Sequence, residues 1–192
     1  MTESISIVGI GGTTSPNSST ECALHIALQS AVSQGASVTH FDGKFLSELP
    51  HYSMDALNNS AEARELVAKI RQADGIIIAT PSYHGSISGL IKNAIDYFEE
   101  TSKDSRVYMD GLPVGIIVTA YGWQAIGSTL GSMRSIVHAL RGWPTPFGAG
   151  IRVTPGMFKD GAVDDANVDT QLTLVGKQVF DFAKLHCTPT SI

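Results

Sequence analysis

Hydrophobic positions along the chain fall into two alternating rhythms. Apolar, strand-like runs occur at residues 4–10 (SISIVGI), 75–80 (GIIIAT) and 113–120 (PVGIIVTA), with a weaker one at 147–153, and 37–41 (SVTHF) reads as a further strand. Glycine, proline or aspartate stands beside them, as expected for buried strands. Between the runs lie stretches with apolar residues at helical spacing: 20–34, 61–73, 89–100, 126–141 and 168–185. In the first of these, Ala23, Leu24, Ala27, Leu28 and Ala31 form the stripe, and Gly35 stands at the helix-ending position. Residues 42–60 are polar, contain glycine and proline, and read as a long loop.

Strands that alternate with helices and are apolar throughout form a parallel sheet covered on both faces. Five such strands with right-handed crossovers fit a doubly wound α/β fold of three layers with strand order 2-1-3-4-5. Ligands of such sheets sit beyond the carboxyl ends of the strands, where the order reverses between the first and third. The loops after the first, third and fourth strands are therefore the places to look for chemistry. No internal repeat, linker or low-complexity tract divides the 192 residues, which read as one domain over 1–192.

Composition removes several classes. Charged residues make up 16% and the net charge is -5, with no basic cluster, so a nucleic-acid footprint is not expected. No apolar run reaches about 18 residues, the length of a membrane span. No secretory leader pattern opens the chain, so a cytoplasmic protein is expected. Cys22 and Cys187 lie far apart without metal-ligand spacing and read as free thiols; no metal site is expected. Asp164, Asp165 and Asp169 read as the acidic start of the last helix.

The loop after the first strand, residues 11–20, reads GGTTSPNSST and carries six hydroxyl side chains, one asparagine and no lysine or arginine. Hydroxyls and the N–H groups of a following helix make an anion cradle. A loop for di- or triphosphates would carry a lysine, and the dinucleotide pattern G-x-G-x-x-G fails at Thr14. A neutral cradle suits one terminal phosphate monoester, with Thr13, Ser15, Asn17, Ser18, Ser19 and Thr20 as candidates. The same residue types also serve simply as a capped polar turn.

The third strand runs into residues 81–97, PSYHGSISGLIKNAIDY. Pro81 is expected to turn the chain off the sheet, and Gly85 to let backbone approach a planar ligand. Tyr83 supplies an aromatic face, and Ser88 is a candidate N-cap. This segment resembles the P-x-Y-x-G-S-x-x-G-x-x-K-N-x-x-D signature of the NADPH-dependent FMN reductases, a family with a flavodoxin-like fold. The resemblance implies a phosphate site in the first loop and flavin contacts at Pro81, Ser82, Tyr83, His84, Gly85 and Ser86. Lys92 and Asp96 stand four apart and read as a helix-surface pair, with Asn93 structural. His84 reads as pocket lining rather than a proton donor.

Two departures from the family pattern stand out. Ser15 occupies a place where many members carry arginine. The loop after the fourth strand holds Tyr121, Gly122 and Trp123 instead of small residues with paired glycines. These three are further candidate flavin contacts, with Trp123 alternatively at a subunit interface.

No acid–base or nucleophile constellation appears, which agrees with chemistry carried by a cofactor. The implied activity is NAD(P)H-dependent reduction of FMN, with NADPH or NADH as donor. Reduced flavin would then serve a monooxygenase or a quinone, azo or nitro acceptor. The alternative is a flavodoxin-type electron carrier without its own NAD(P)H activity. The resemblance also implies a homodimer or homotetramer.

Overall fold

The computed structural model describes residues 4–15, 18–159 and 161–187. The chain order is β1 (Ser6–Gly11), α1 (Ser19–Ser33), β2 (Ser37–Phe41), α2 (Gly43–Glu48), α3 (Ala56–Asn59), α4 (Ala61–Gln72), β3 (Gly75–Tyr83), β4 (Ser86–Ile87) and α5 (Gly89–Asp96). A 3-10 turn follows at Tyr97–Thr101. Next come β5 (Pro113–Ala120), α6 (Trp123–Ala139), β6 (Trp143–Pro144), β7 (Ala149–Arg152), β8 (Phe158–Lys159), β9 (Ala162–Val163) and α7 (Ala166–Cys187).

Polar caps fix the helix starts. Ser18 accepts from the Glu21 N–H at 3.2 Å to open α1, and Ser60 accepts from the Ala63 N–H at 3.0 Å to open α4. Asp165 accepts from the N–H groups of Asn167 and Val168, as the acidic start of α7 requires. Gly35 closes α1 at φ 102°, the left-handed conformation that glycine adopts without penalty.

The main sheet runs β2-β1-β3-β5, with β6 and β7 both beside β5, all parallel. This is the doubly wound order 2-1-3-4-5, its fifth strand split in two. The weak apolar run at 147–153 holds only β7; β6 starts at Trp143, ahead of it. Crossover helices cover both faces. On one, α1 and α7 lie close to the sheet, because a side chain at Gly115 would come within 2.7 and 2.8 Å of Val175 and Val179. A side chain at Gly176 would overlap the Ala27 carbonyl, so α1 and α7 meet backbone to backbone. The other face is filled by bulky groups, including Phe41, Tyr97, Phe98, Met109 and Met133, beneath α4, α5 and α6.

Several expectations need correction. Residues 42–60 are not a featureless loop: they hold α2, capped by Asp42 on the Phe45 N–H at 2.8 Å, and α3. Their return path is pinned by Asn93, which accepts from the Tyr52 N–H at 2.9 Å and donates to the Pro50 carbonyl at 3.0 Å. Tyr52 itself donates to Glu100, and its hydroxyl pKa is pushed up to about 12 by burial and that carboxylate. Pro81 does not turn the chain off the sheet. It remains in β3, opposite Thr119 of β5, and the reversal comes at His84 and Gly85, both at positive φ. Beyond it β4 folds back antiparallel onto Ser82 and Tyr83. The helix expected over 89–100 changes to a 3-10 turn at Tyr97, and α6 begins at Trp123 rather than Ile126. The Lys92–Asp96 pair forms at 2.6 Å, and Ser88 caps α5 on the Ile91 N–H.

Candidate functional site

A cleft of about 450 Å³ lies beyond the carboxyl ends of β1, β3 and β5. One end is made by Thr13, Ser15, Ser18, Ser19 and Thr20, at the start of α1. The other is made by Pro81, Ser82 and Tyr83 of β3, Thr119, Ala120 and Tyr121 after β5, and Val153 after β7. The strand order dictates this placement: β1 and β3 leave their shared carboxyl edge toward opposite faces, which opens a crevice between their loops. Among the described residues, no carboxylate, imidazole, thiol, ammonium or guanidinium lines it.

The hydroxyls divide by what already engages them. Thr20 Oγ1 lies 2.6 Å from Thr119 Oγ1 in a buried contact that ties α1 to β5. Ser82 Oγ lies 2.7 Å from Thr129 Oγ1 and donates to the Ala125 carbonyl at 3.1 Å, tying β3 to α6. Thr13 Oγ1 accepts from the Ser15 N–H at 3.1 Å and shapes the loop. The Ser18 hydroxyl caps α1, while the first-turn N–H groups beside it have no acceptor within the helix. Ser19 is half-buried and points no bonded hydroxyl elsewhere among the described residues.

Of the sequence candidates, Thr13, Ser15, Ser18, Ser19, Thr20, Pro81, Ser82, Tyr83 and Tyr121 line the cleft. His84, Gly85 and Ser86 form the hairpin tip and do not line it; Ser128 Oγ donates to the Gly85 carbonyl at 3.0 Å, holding that tip against α6. Gly122 and Trp123 also lie outside the lining. Asn17 lies outside the described residues.

Residues that sequence reasoning missed support the loop from behind. The Glu21 carboxylate faces the Gly43 N–H at 3.4 Å and His40 Nε2 at 2.8 Å. That imidazole nitrogen is sealed from solvent, close enough for an ion pair yet without hydrogen-bond geometry. A Cβ at Gly12 would overlap Glu21, and a Cβ at Gly43 would overlap the Thr13 backbone. The start of α2 is thus pressed directly on the loop, with Lys44 beside it. Glu21 stands next to buried Cys22, whose thiol pKa is raised by burial and then by that carboxylate, so Cys22 is an inert core residue.

Comparison with known proteins supplies a family. Residues 5–150 match the model of the NADPH-dependent FMN reductases. The chain is 32% identical over 151 residues to an FMN-dependent NADPH-azoreductase of Staphylococcus saprophyticus, covering 72% of this chain and 76% of that one. It is 30% identical over 92 residues to NADH-dependent flavin reductase subunit 2 of Lactobacillus johnsonii, covering 48% and 50%. The chain spans about half the length of several curated relatives it matches. Its fold superposes on FerB, a flavoenzyme NAD(P)H:(acceptor) oxidoreductase from Paracoccus denitrificans, with TM-score 0.75 and 20% identity over 96% of this chain and 99% of that one. With a flavodoxin-like sheet, the family match over residues 5–150 and a cleft at the switch point, the chain belongs to the NADPH-dependent FMN reductase family.

Proposed function

We propose that this chain binds FMN in the cleft and acts as an NAD(P)H-dependent flavin oxidoreductase. The observation that carries this reading is the polarity of the cleft. Hydroxyls and a helix N-terminus gather at one end, a proline and aromatic rings at the other, and among the described residues no charged side chain lies between. The donor set fits a phosphate monoester, which needs hydrogen-bond donors and the helix field more than a paired cation. The volume of about 450 Å³ falls in the ordinary range of cofactor clefts.

FMN held there would supply the redox chemistry between a nicotinamide donor and an acceptor. The protein's part is to bind and orient. Ser15, Ser18, Ser19 and the first-turn N–H groups of α1 hold the phosphate. Thr20 keeps α1 in register with β5 through Thr119. Pro81 and Tyr83 form the wall for the flexible-free, planar end of the ligand, and Tyr121 and Val153 shield it from water. With no acid–base group in the lining, rate enhancement comes from alignment of the two rings.

The names of the Staphylococcus and Lactobacillus relatives support azo compounds and free flavin as acceptor classes for this chain. Self-association is part of the reading: a groove of about 320 Å³ between α5 and α6, lined by Ile95, Ile136, Ala139 and Leu140 together with Lys92, Asp96 and Glu99, suits a second copy.

The deciding experiment is the absorbance spectrum of the FMN-loaded protein under anaerobic NADPH, then NADH. Bleaching of the flavin band at a catalytic rate is the expected result. FMN binding without bleaching by either donor would replace the reductase with an electron carrier. Failure to bind FMN would remove the cleft assignment altogether.

A further inference from the structure

The start of α1 carries half of a reciprocal cap. Residues 18–21 read Ser-Ser-Thr-Glu, the S-x-x-E pattern in which the serine hydroxyl takes the glutamate N–H and the glutamate side chain reaches back to the serine N–H. The first bond forms: Ser18 Oγ accepts from the Glu21 N–H at 3.2 Å. The second does not. Glu21 Oε2 accepts instead from the Gly43 N–H at 3.4 Å, and Glu21 Oε1 lies 2.8 Å from His40 Nε2. The carboxylate therefore lines the recess on the α2 side of the loop, whereas Ser18, Ser19 and Thr20 line the cleft. The Ser18 N–H is left without an acceptor among the described residues.

The surroundings keep the carboxylate in that place. Gly12 leaves the room it occupies, since a Cβ there would overlap Glu21 Oε2. His40, next to last in β2, is set beside β1 by its register with Gly9. The two side chains are only 25% and 24% exposed, so their attraction is incompletely screened when Nε2 carries a proton. Asp42 and Lys44 face the same recess, but Asp42 Oδ1 accepts from the Phe45 N–H and Lys44 is exposed to water. Among the described residues, His40 is thus the sheltered counter-charge to Glu21.

A carboxylate at this position of a first turn is an internal equivalent of a phosphate oxygen. It is negative, it accepts from the same N–H, and the same helix field favours it. Returned to the Ser18 N–H, it would fill one donor of the cradle and set a negative charge beside the phosphate. We propose that His40 and the Gly43 N–H hold Glu21 off the cradle, and that Glu21, once released, closes the cap and competes with the flavin phosphate. Glu21 and His40 are then positioning residues, and neither lines the cleft in the held arrangement. The proposal rests on the reading of the cleft as an FMN site.

The test compares FMN with riboflavin, which lacks the phosphate, in fluorescence titrations of the parent, His40→Ala, Glu21→Ala and the double variant. His40→Ala should weaken FMN about tenfold or more and leave riboflavin within about twofold. Adding Glu21→Ala should return FMN to within about threefold of the parent, and Glu21→Ala alone should cost no more than that. A plain strut would behave otherwise: Glu21→Ala alone would lose as much as His40→Ala, and the double variant would not recover. That pattern, unchanged FMN binding in His40→Ala, or an equal loss of riboflavin would overturn the proposal. A second measurement uses the ligand-free protein. The Ser18 amide NMR signal should move downfield and exchange more slowly in His40→Ala, and revert in the double variant. An unmoved signal overturns the proposal and leaves simple repulsion by Glu21. If the parent binds no FMN while the Ser18 signal behaves as expected, the flavin reading fails and the diverted cap stands.

Discussion

Two recesses lie at opposite edges of the sheet, and they are built on opposite plans. The recess at the amino edge, about 290 Å³, is rich in charge: Arg71, Asp104 and Arg106 line it. Yet these groups answer one another. Arg71 Nε pairs with Asp104 at 2.7 Å, and Arg106 donates to the carbonyls of Ile70, Arg71 and Ala73, at the end of α4 whose carbonyls lack helical N–H donors. The cleft at the carboxyl edge, about 450 Å³, contains no charge among the described residues of its lining but has hydroxyls and N–H groups with capacity to spare. Functional capacity follows from unmet hydrogen-bonding potential rather than from the number of charges. A satisfied arginine is a staple; an unsatisfied serine beside a helix start is a receptor.

Substitutions can break this comparison from either side. The largest effect is expected from Gly43→Val, which drives a branched side chain into the Thr13 backbone. FMN affinity should fall about 100-fold or more, roughly 2.7 kcal/mol, in a fluorescence titration. Retained affinity would show that the α2 contact does not shape the cradle. Next, Arg106→Ala should cost about 2 kcal/mol by releasing α4's terminal carbonyls, lowering Tm by roughly 4–8 °C. Its FMN affinity should stay within about twofold of the parent's, and a larger loss would tie the two edges together. On the proposed phosphate site, Ser19→Ala would remove one donor to a charged oxygen, worth about 1.5–3 kcal/mol. FMN binding should weaken by about tenfold or more while riboflavin binding and Tm hold; equal losses for both flavins would place Ser19 away from the phosphate. Smallest, Lys92→Ala breaks a surface pair worth about 0.3–0.5 kcal/mol and should leave flavin affinity untouched, as differential scanning calorimetry and titration together would show.

The sequence made β5 legible to the residue because it is a continuous apolar run bordered by a breaker, and β2 because its β-branched residues stand between Gly35 and Asp42. It hid α2 and α3, whose 6 and 4 residues hold too little of a helical period to register. Pro81 misled for a physical reason: proline forfeits an N–H and so signals a strand end, but a parallel strand can keep it near its terminus, and β3 continues to Tyr83. Within the cleft, the hydroxyl-rich loop and Tyr83 were visible as local composition. Glu21, His40 and Gly43 were not, since their meeting depends on β2 lying next to β1.

The close fit of α1 and α7 to the sheet also bears on how such a protein diversifies. A side chain at Gly176 would run into the Ala27 carbonyl, so this contact between α1 and α7 tolerates no added atom without moving backbone. The opposite flank is padded by Met109, Met133 and other large side chains that can be exchanged and rearranged. Exchange of one large apolar side chain for another on that flank should therefore be tolerated better than any addition at the α1–α7 backbone contact.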